Sequence, residues 1–219
     1  MKKYLLLLAL MAFVPLHAQL DQRAQEVLQY WLGDLQDAEH YPESKMKLWF
    51  GKDPQIDEEI SKRFKDLILE ASNNGLEGWK ETAKGRLALL IVLDQFPRHV
   101  YRNTSQAFAY DTMAQKWALE GVCQFEDQQL FPIERVFFYL PFEHAENFEL
   151  QEISVEQFHA LVIDAPVEIK PVMEKFAEYA YQHYVIIARF GRFPHRNHIL
   201  GRDSTPEELE FLQEQGSSF

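Results

Sequence analysis

The chain has 219 residues, a formal net charge of −12, 47% hydrophobic and 14% aromatic residues, and one cysteine. That is ample apolar material for one domain core, while the negative charge repels phosphate backbones and anionic lipid and so argues against nucleic-acid and membrane-surface partners. Cys123 alone forms no intramolecular disulfide, so helix packing must hold the fold.

The first residues read as an export signal. Met1-Lys2-Lys3 is a basic start, residues 4–14 are apolar, and Ala18 offers a small residue for a signal peptidase. The apolar run is too short for a bilayer, which needs about 20 residues. We expect a signal peptide over residues 1–18, cleavage after Ala18, and a periplasmic or secreted product. Residues 19–219 then form a single α-helical domain. Cleavage removes Lys2 and Lys3, leaving −14 instead of −12.

Apolar residues beyond this point recur at helical spacing and hardly ever alternate, which predicts an all-α fold of about seven to nine helices. The first runs from about Asp21 to Leu32. Asp57 is expected to cap the next, which ends at Asn73-Asn74-Gly75. A helix from Thr82 should stop at Pro97, and Asp111 opens another. Phe131-Pro132 opens a short helix closed by Pro141. Ser154 with Gln157 reads as a capping box, and the longest helix spans about Pro171 to Phe190, before Gly191. Ser204-Thr205-Pro206-Glu207 caps a last helix through Leu209 and Leu212.

Charges on core faces mark the candidate site. Asp94 shares a helical stripe with Leu87 and Ile91, and His183 shares one with Phe176, Ala180 and Ile187, so both should face inward. Residues 189–202 hold four of the ten arginines (Arg189, Arg192, Arg196 and Arg202) with His195 and His198 and no acid. Arginine offers a planar fork for carboxylate or phosphate, so this concentration points to anion recognition. The chain also echoes itself: Asp94-Gln95-Phe96-Pro97-Arg98, with Arg102, parallels Gly191-Arg192-Phe193-Pro194-His195-Arg196. A third turn, Leu140-Pro141-Phe142-Glu143-His144-Ala145-Glu146, adds acids and a histidine. The three turns are expected to converge at one end of the bundle.

These turns carry a family resemblance. Leu93 to Arg98 with Tyr101-Arg102, Phe138 to Glu146, and Arg189 to Asn197 with Leu200-Gly201-Arg202 resemble the three signatures of the family called domain of unknown function 924. Phe108-Ala109-Tyr110-Asp111 and Ser204-Thr205-Pro206-Glu207-Glu208 match further blocks, and the resemblance covers residues 21–214. It implies a tetratricopeptide-like helical fold and no accepted activity, cofactor or catalytic residue. His99 stands where the family more often has Asn, and Ala145 where it often has Ser.

Three functions follow from these residues. In the first, Arg98, Arg102, Arg192, His195, Arg196 and Asn197 bind a small anionic molecule. In the second, the same place is a hydrolase or transferase, with His144 or His195 as acid/base and Glu143 or Asp94 orienting it. The third is a tetratricopeptide-like scaffold with a peptide partner. Glu143, His144 and Glu146 match no established zinc spacing, so no metal is assigned. No nucleotide-cofactor motif is found, so no cofactor is expected.

Overall fold

Helix starts fall where a side chain can satisfy free backbone N–H groups. The computed structural model describes residues 19–217; the signal segment expected at residues 1–18 lies outside them. Helix α1 (Gln22–Trp31) begins at Asp21, whose carboxylate accepts from the Arg23 N–H at 2.7 Å. After the short α2 (Met46–Phe50), α3 (Pro54–Ser72) begins at Asp53 and not at the expected Asp57. Asp53 accepts from the Gln55 N–H at 2.9 Å, and Pro54 sits where its missing N–H costs nothing. This leaves the Asp57 side chain for a long-range ion pair.

The second difference is at Pro97. Helix α4 (Ala83–Leu90) does not stop there. It passes through a π-helical turn (Ile91–Gln95) into α5 (Phe96–Val100). In a regular helix the Pro97 ring would clash with the Leu93 carbonyl four residues earlier. The π turn widens the backbone at that place and lets the helix continue. Leu87 to Leu93 are all 0% exposed, so this rod is the centre of the molecule, buried on every side.

Helix α6 (Asp111–Cys123) packs on α4, and α7 (Pro132–Glu143) packs against both. The expected stop at Pro141 also fails, since α7 carries Pro141 inside it and ends at Glu143. Helix α8 (Phe148–Asp164) is capped by Asn147, which accepts from the Leu150 N–H at 2.9 Å, so Ser154 is a buried mid-helix residue and not a cap. Helix α9 (Lys170–Phe190) packs along α8 and ends at Gly191, whose φ of 69° suits glycine. Helix α10 (Pro206–Phe211) starts with a capping box of Thr205 and Glu208. Counting α4, the π turn and α5 as one rod gives nine helices and no strand among the described residues, as the apolar periodicity implies. No described helix is long and apolar enough to cross a membrane.

Aromatic rings fill the space around the central rod. Phe64 stacks on Phe96 at 4.6 Å, and Trp31 meets Phe96 and Phe137 edge-on at 5.6 and 5.7 Å. A smaller cluster of Ile186, Ile187, Phe193 and Phe211 closes the C-terminal end of α9. Gly121 allows α6 its close approach: a Cβ there would lie 2.5 Å from Phe138 and 2.6 Å from Arg86, both buried. Gly121→Ala is therefore expected to cost about 1–3 kcal/mol through overpacking, despite alanine's better helix propensity. Urea titration checks this, and a stabilised variant would contradict it.

Candidate functional site

Three segments meet at one place. The widened turn before α5 brings Asp94, the end of α7 brings Glu143 and His144, and the loop after α9 brings Phe193 and Arg196. Asp94 is 1% exposed. Both its oxygens lie 2.9 Å from His144 Nδ1, and Gln95 Nε2 donates to one of them at 2.5 Å. Arg98 Nη1 is 3.2 Å from the carboxylate and donates to the Asp94 carbonyl at 2.5 Å. Burial works to raise the Asp94 pKa, but Arg98 and His144 outweigh it and hold the carboxyl down at about 2. With Asp94 ionised, His144 Nδ1 must donate.

That bond fixes the histidine. Its side chain is 15% exposed, and Nε2 makes no hydrogen bond among the described residues. Burial, then Arg98, lowers the His144 pKa against the pull of Asp94. At neutral pH His144 is thus a neutral imidazole with the proton on Nδ1 and a lone pair on Nε2.

Arg98 and Arg196 share one acid, Asp111. Arg98 binds it through both terminal nitrogens, at 2.9 and 3.0 Å. Arg196 approaches no closer than 3.8 Å to Asp111, donates to the His144 carbonyl at 3.0 Å, and leaves its buried Nε–H without an acceptor. Its guanidinium lies over the rings of Phe193 and Phe108, at 4.4 and 4.6 Å. Burial, then Arg98, pushes its pKa down to about 10.

Glu143 is 4% exposed and points toward His183. His183 Nδ1 lies 2.8 Å from the Tyr179 carbonyl and 3.3 Å from Glu143 Oε1, while Glu143 Oε2 is buried with no partner. Burial, then the Asp94 charge, pushes the Glu143 pKa up to about 8, and burial also pushes His183 well below its ordinary value. The pair is therefore neutral at pH 7 and not an ion pair. His195 sits beside Phe193, ring centres 5.7 Å apart, and burial followed by Arg196 drops its pKa to about 4.

The other expected donors lie in separate ion pairs. Arg102 binds Asp57 through Nε and Nη2, both at 2.7 Å, with His99 on the same carboxylate at 2.8 Å. Arg192 binds Glu208 at 2.6 and 2.8 Å, and Asn197 donates to the same acid at 3.2 Å. Arg202 holds Glu146 at 2.6 and 2.8 Å, and Arg189 holds Glu207. Ala145, fully buried, accepts from Gln151 Nε2 through its carbonyl at 2.8 Å.

Asp94, Arg98, Glu143, His144, His195 and Arg196 thus gather as the repeated turns suggested. Asp111 and Phe108 complete the centre and went unread as site residues; their signal is the block Phe108-Ala109-Tyr110-Asp111, read as a further family block with a helix start at Asp111. Cavities of about 320 Å³ beside Asp21, Arg23 and Trp79, and of about 310 Å³ between α8 and α9, include none of these residues. Among the described residues, no group of three or more His, Cys, Asp or Glu side chains is placed to hold a metal.

The comparisons agree with the turn motifs. Residues 27–216 match the family described as bacterial proteins of unknown function, DUF924. The chain belongs to the DUF924 family. A solved structure, described as a protein of unknown function, ATU0120 from Agrobacterium tumefaciens, is 35% identical with a TM-score of 0.74. The match covers 88% of this chain and 98% of that one. No curated protein matches significantly. Family membership brings the fold and leaves the chemistry to be argued from the polar centre.

Proposed function

We propose that this DUF924 protein is exported and binds a small anionic ligand at the centre formed by Arg98, His144, His195 and Arg196. One observation carries this reading: Arg196 is a buried cation with an N–H that no acceptor takes and no carboxylate of its own. A buried unpaired donor costs roughly 1–3 kcal/mol, more for a charged group, and a ligand anion would recover that cost. Arg98 and His144, whose side chains are 19% and 15% exposed, form the side of the centre open to solvent. Arg102, Arg192 and Asn197 are left as architecture, because their acids already match them.

Melting curves with and without succinate or inorganic phosphate test this, with sodium chloride as the ionic-strength control. An anion should raise the melting temperature of the parent, since a ligand at 100 times its Kd stabilises by about 2.7 kcal/mol. Arg196→Met keeps an apolar stem between the two phenylalanines and removes the cation, so it should lose the response. Equal responses in parent and variant, or none in either, would overturn the reading. Export rests on residues 1–18. N-terminal sequencing of the protein from its native host should begin at Gln19, and an intact Met1 on the soluble protein would contradict it.

A further inference from the structure

We infer that the Asp94–His144 pair makes this centre an esterase, in which His144 Nε2 is the general base and the substrate is an ester carrying a free carboxylate. The inference rests on the anion-binding reading and names its substrate class. Four observations lead to it. The imidazole is held from behind by a buried carboxylate, which sets its tautomer and leaves the basic nitrogen forward. That nitrogen has no protein partner among the described residues, and the ring reaches solvent. Arg98 donates to the Asp94 carbonyl and Arg196 to the His144 carbonyl, so the two guanidiniums flank the pair, and the more exposed Arg98 opposes negative charge developing on a carbonyl oxygen. Arg98 is already paired with Asp111 through both terminal nitrogens, whereas Arg196 has no carboxylate within hydrogen-bond distance and keeps a buried Nε–H that no acceptor takes. One guanidinium matches one carboxylate, whereas a phosphate dianion calls for several donors.

The step balances with water as the only co-reactant. Nε2 takes a proton from water as the oxygen attacks the ester carbonyl carbon, giving a tetrahedral oxyanion. The carbon–oxygen bond to the alcohol then breaks, and the Nε2 proton passes to the leaving oxygen. The products are a carboxylic acid and an alcohol, with His144 neutral again. Asp94 is a positioning residue, since it touches the imidazole and not the substrate. The groups facing His144 are Asp94, Arg98 and Asp111 from the central rod and α6, and His183 and Arg196 from α9 and the loop after it.

The test uses 4-nitrophenyl hydrogen succinate, which carries a carboxylate, and neutral 4-nitrophenyl acetate. The parent should hydrolyse the succinate ester faster than buffer, with a rate that falls on acidification as Nε2 takes a proton. His144→Asn keeps an amide donor for Asp94 and lacks Nε2, so it should fold and lose about 100-fold or more in kcat/KM. Arg196→Met should raise KM for the succinate ester more than for the acetate, because only the succinate carries the carboxylate that this guanidinium takes. Asp94→Asn should move the acid limb to lower pH, because the carboxylate is what raises the His144 pKa; a merely structural role would leave that limb in place. A His144→Asn protein that melts like the parent and keeps its rate would overturn the inference. So would a parent no faster than buffer; a succinate-induced rise in melting temperature would then leave binding standing, and its absence would remove both.

Discussion

Asp94→Asn is expected to destabilise the protein by about 3 kcal/mol, at the low end of the 3–5 kcal/mol typical of a broken buried ion pair. The carboxylate is 1% exposed and serves His144, Gln95 and Arg98 at once. Asparagine keeps the shape and one acceptor oxygen but removes the charge. Arg98 is not stranded, because Asp111 still holds it through two bonds, and this places the cost at the low end. The π turn adds a local reason: Asp94 lies in the one stretch of the rod whose backbone departs from regular helix, where side-chain anchors matter more. Urea titration of both proteins at pH 7 measures the difference. A loss under about 1 kcal/mol would mean that the carboxylate is solvated rather than committed to its partners.

Glu143 should give the protein an alkaline weakness. Its folded pKa of about 8 lies above the ordinary 4.5, so between those values the folded state keeps a proton that the unfolded state has lost. The stability contributed by this group is full below about pH 4.5 and is lost as pH rises through 8, at up to about 1.4 kcal/mol per pH unit. His99, His144, His183 and His195 act in the opposite sense. Their lowered values mean that the unfolded chain binds protons first, so their effect makes stability rise with pH up to about 6.5. The two effects oppose one another below that point, and above it the carboxyl dominates. Stability of the parent should therefore fall between pH 6.5 and 8, while Glu143→Gln, which cannot ionise, should remain nearly flat. Denaturant midpoints across that range decide it, and parallel curves for the two proteins would show that Glu143 is already ionised at pH 7.

The sequence by itself determined the helical class, the inward direction of Asp94 and His183, and the ends of the longest helix. These depend on local chemistry. A 3.6-residue period sets which side chains share a face, and glycine with a positive φ ends α9 wherever the rest of the chain goes. The repeated Phe-Pro segments also pointed to where polar residues collect, since a core carboxylate must find partners nearby. The two prolines were misread for a reason that is not local. Pro97 and Pro141 lie inside helices because packing around the buried rod repays the lost backbone bond, and a sequence window contains no measure of that packing. Asp57 and Ser154 were read as caps, but competing caps at Asp53 and Asn147 fixed the starts and freed the Asp57 carboxylate for Arg102 and His99. Pairing was decided by the tertiary structure alone. Residues 189–202 hold no acid, which pointed to anion recognition, yet Glu207, Glu208 and Glu146 arrive from other segments and take Arg189, Arg192 and Arg202. Ion pairs form across 16 to 56 residues of chain, a separation over which composition carries no register. What the fold leaves is one buried arginine short of an acceptor beside one oriented histidine, and it is that remainder, not the arginine count, that marks the centre.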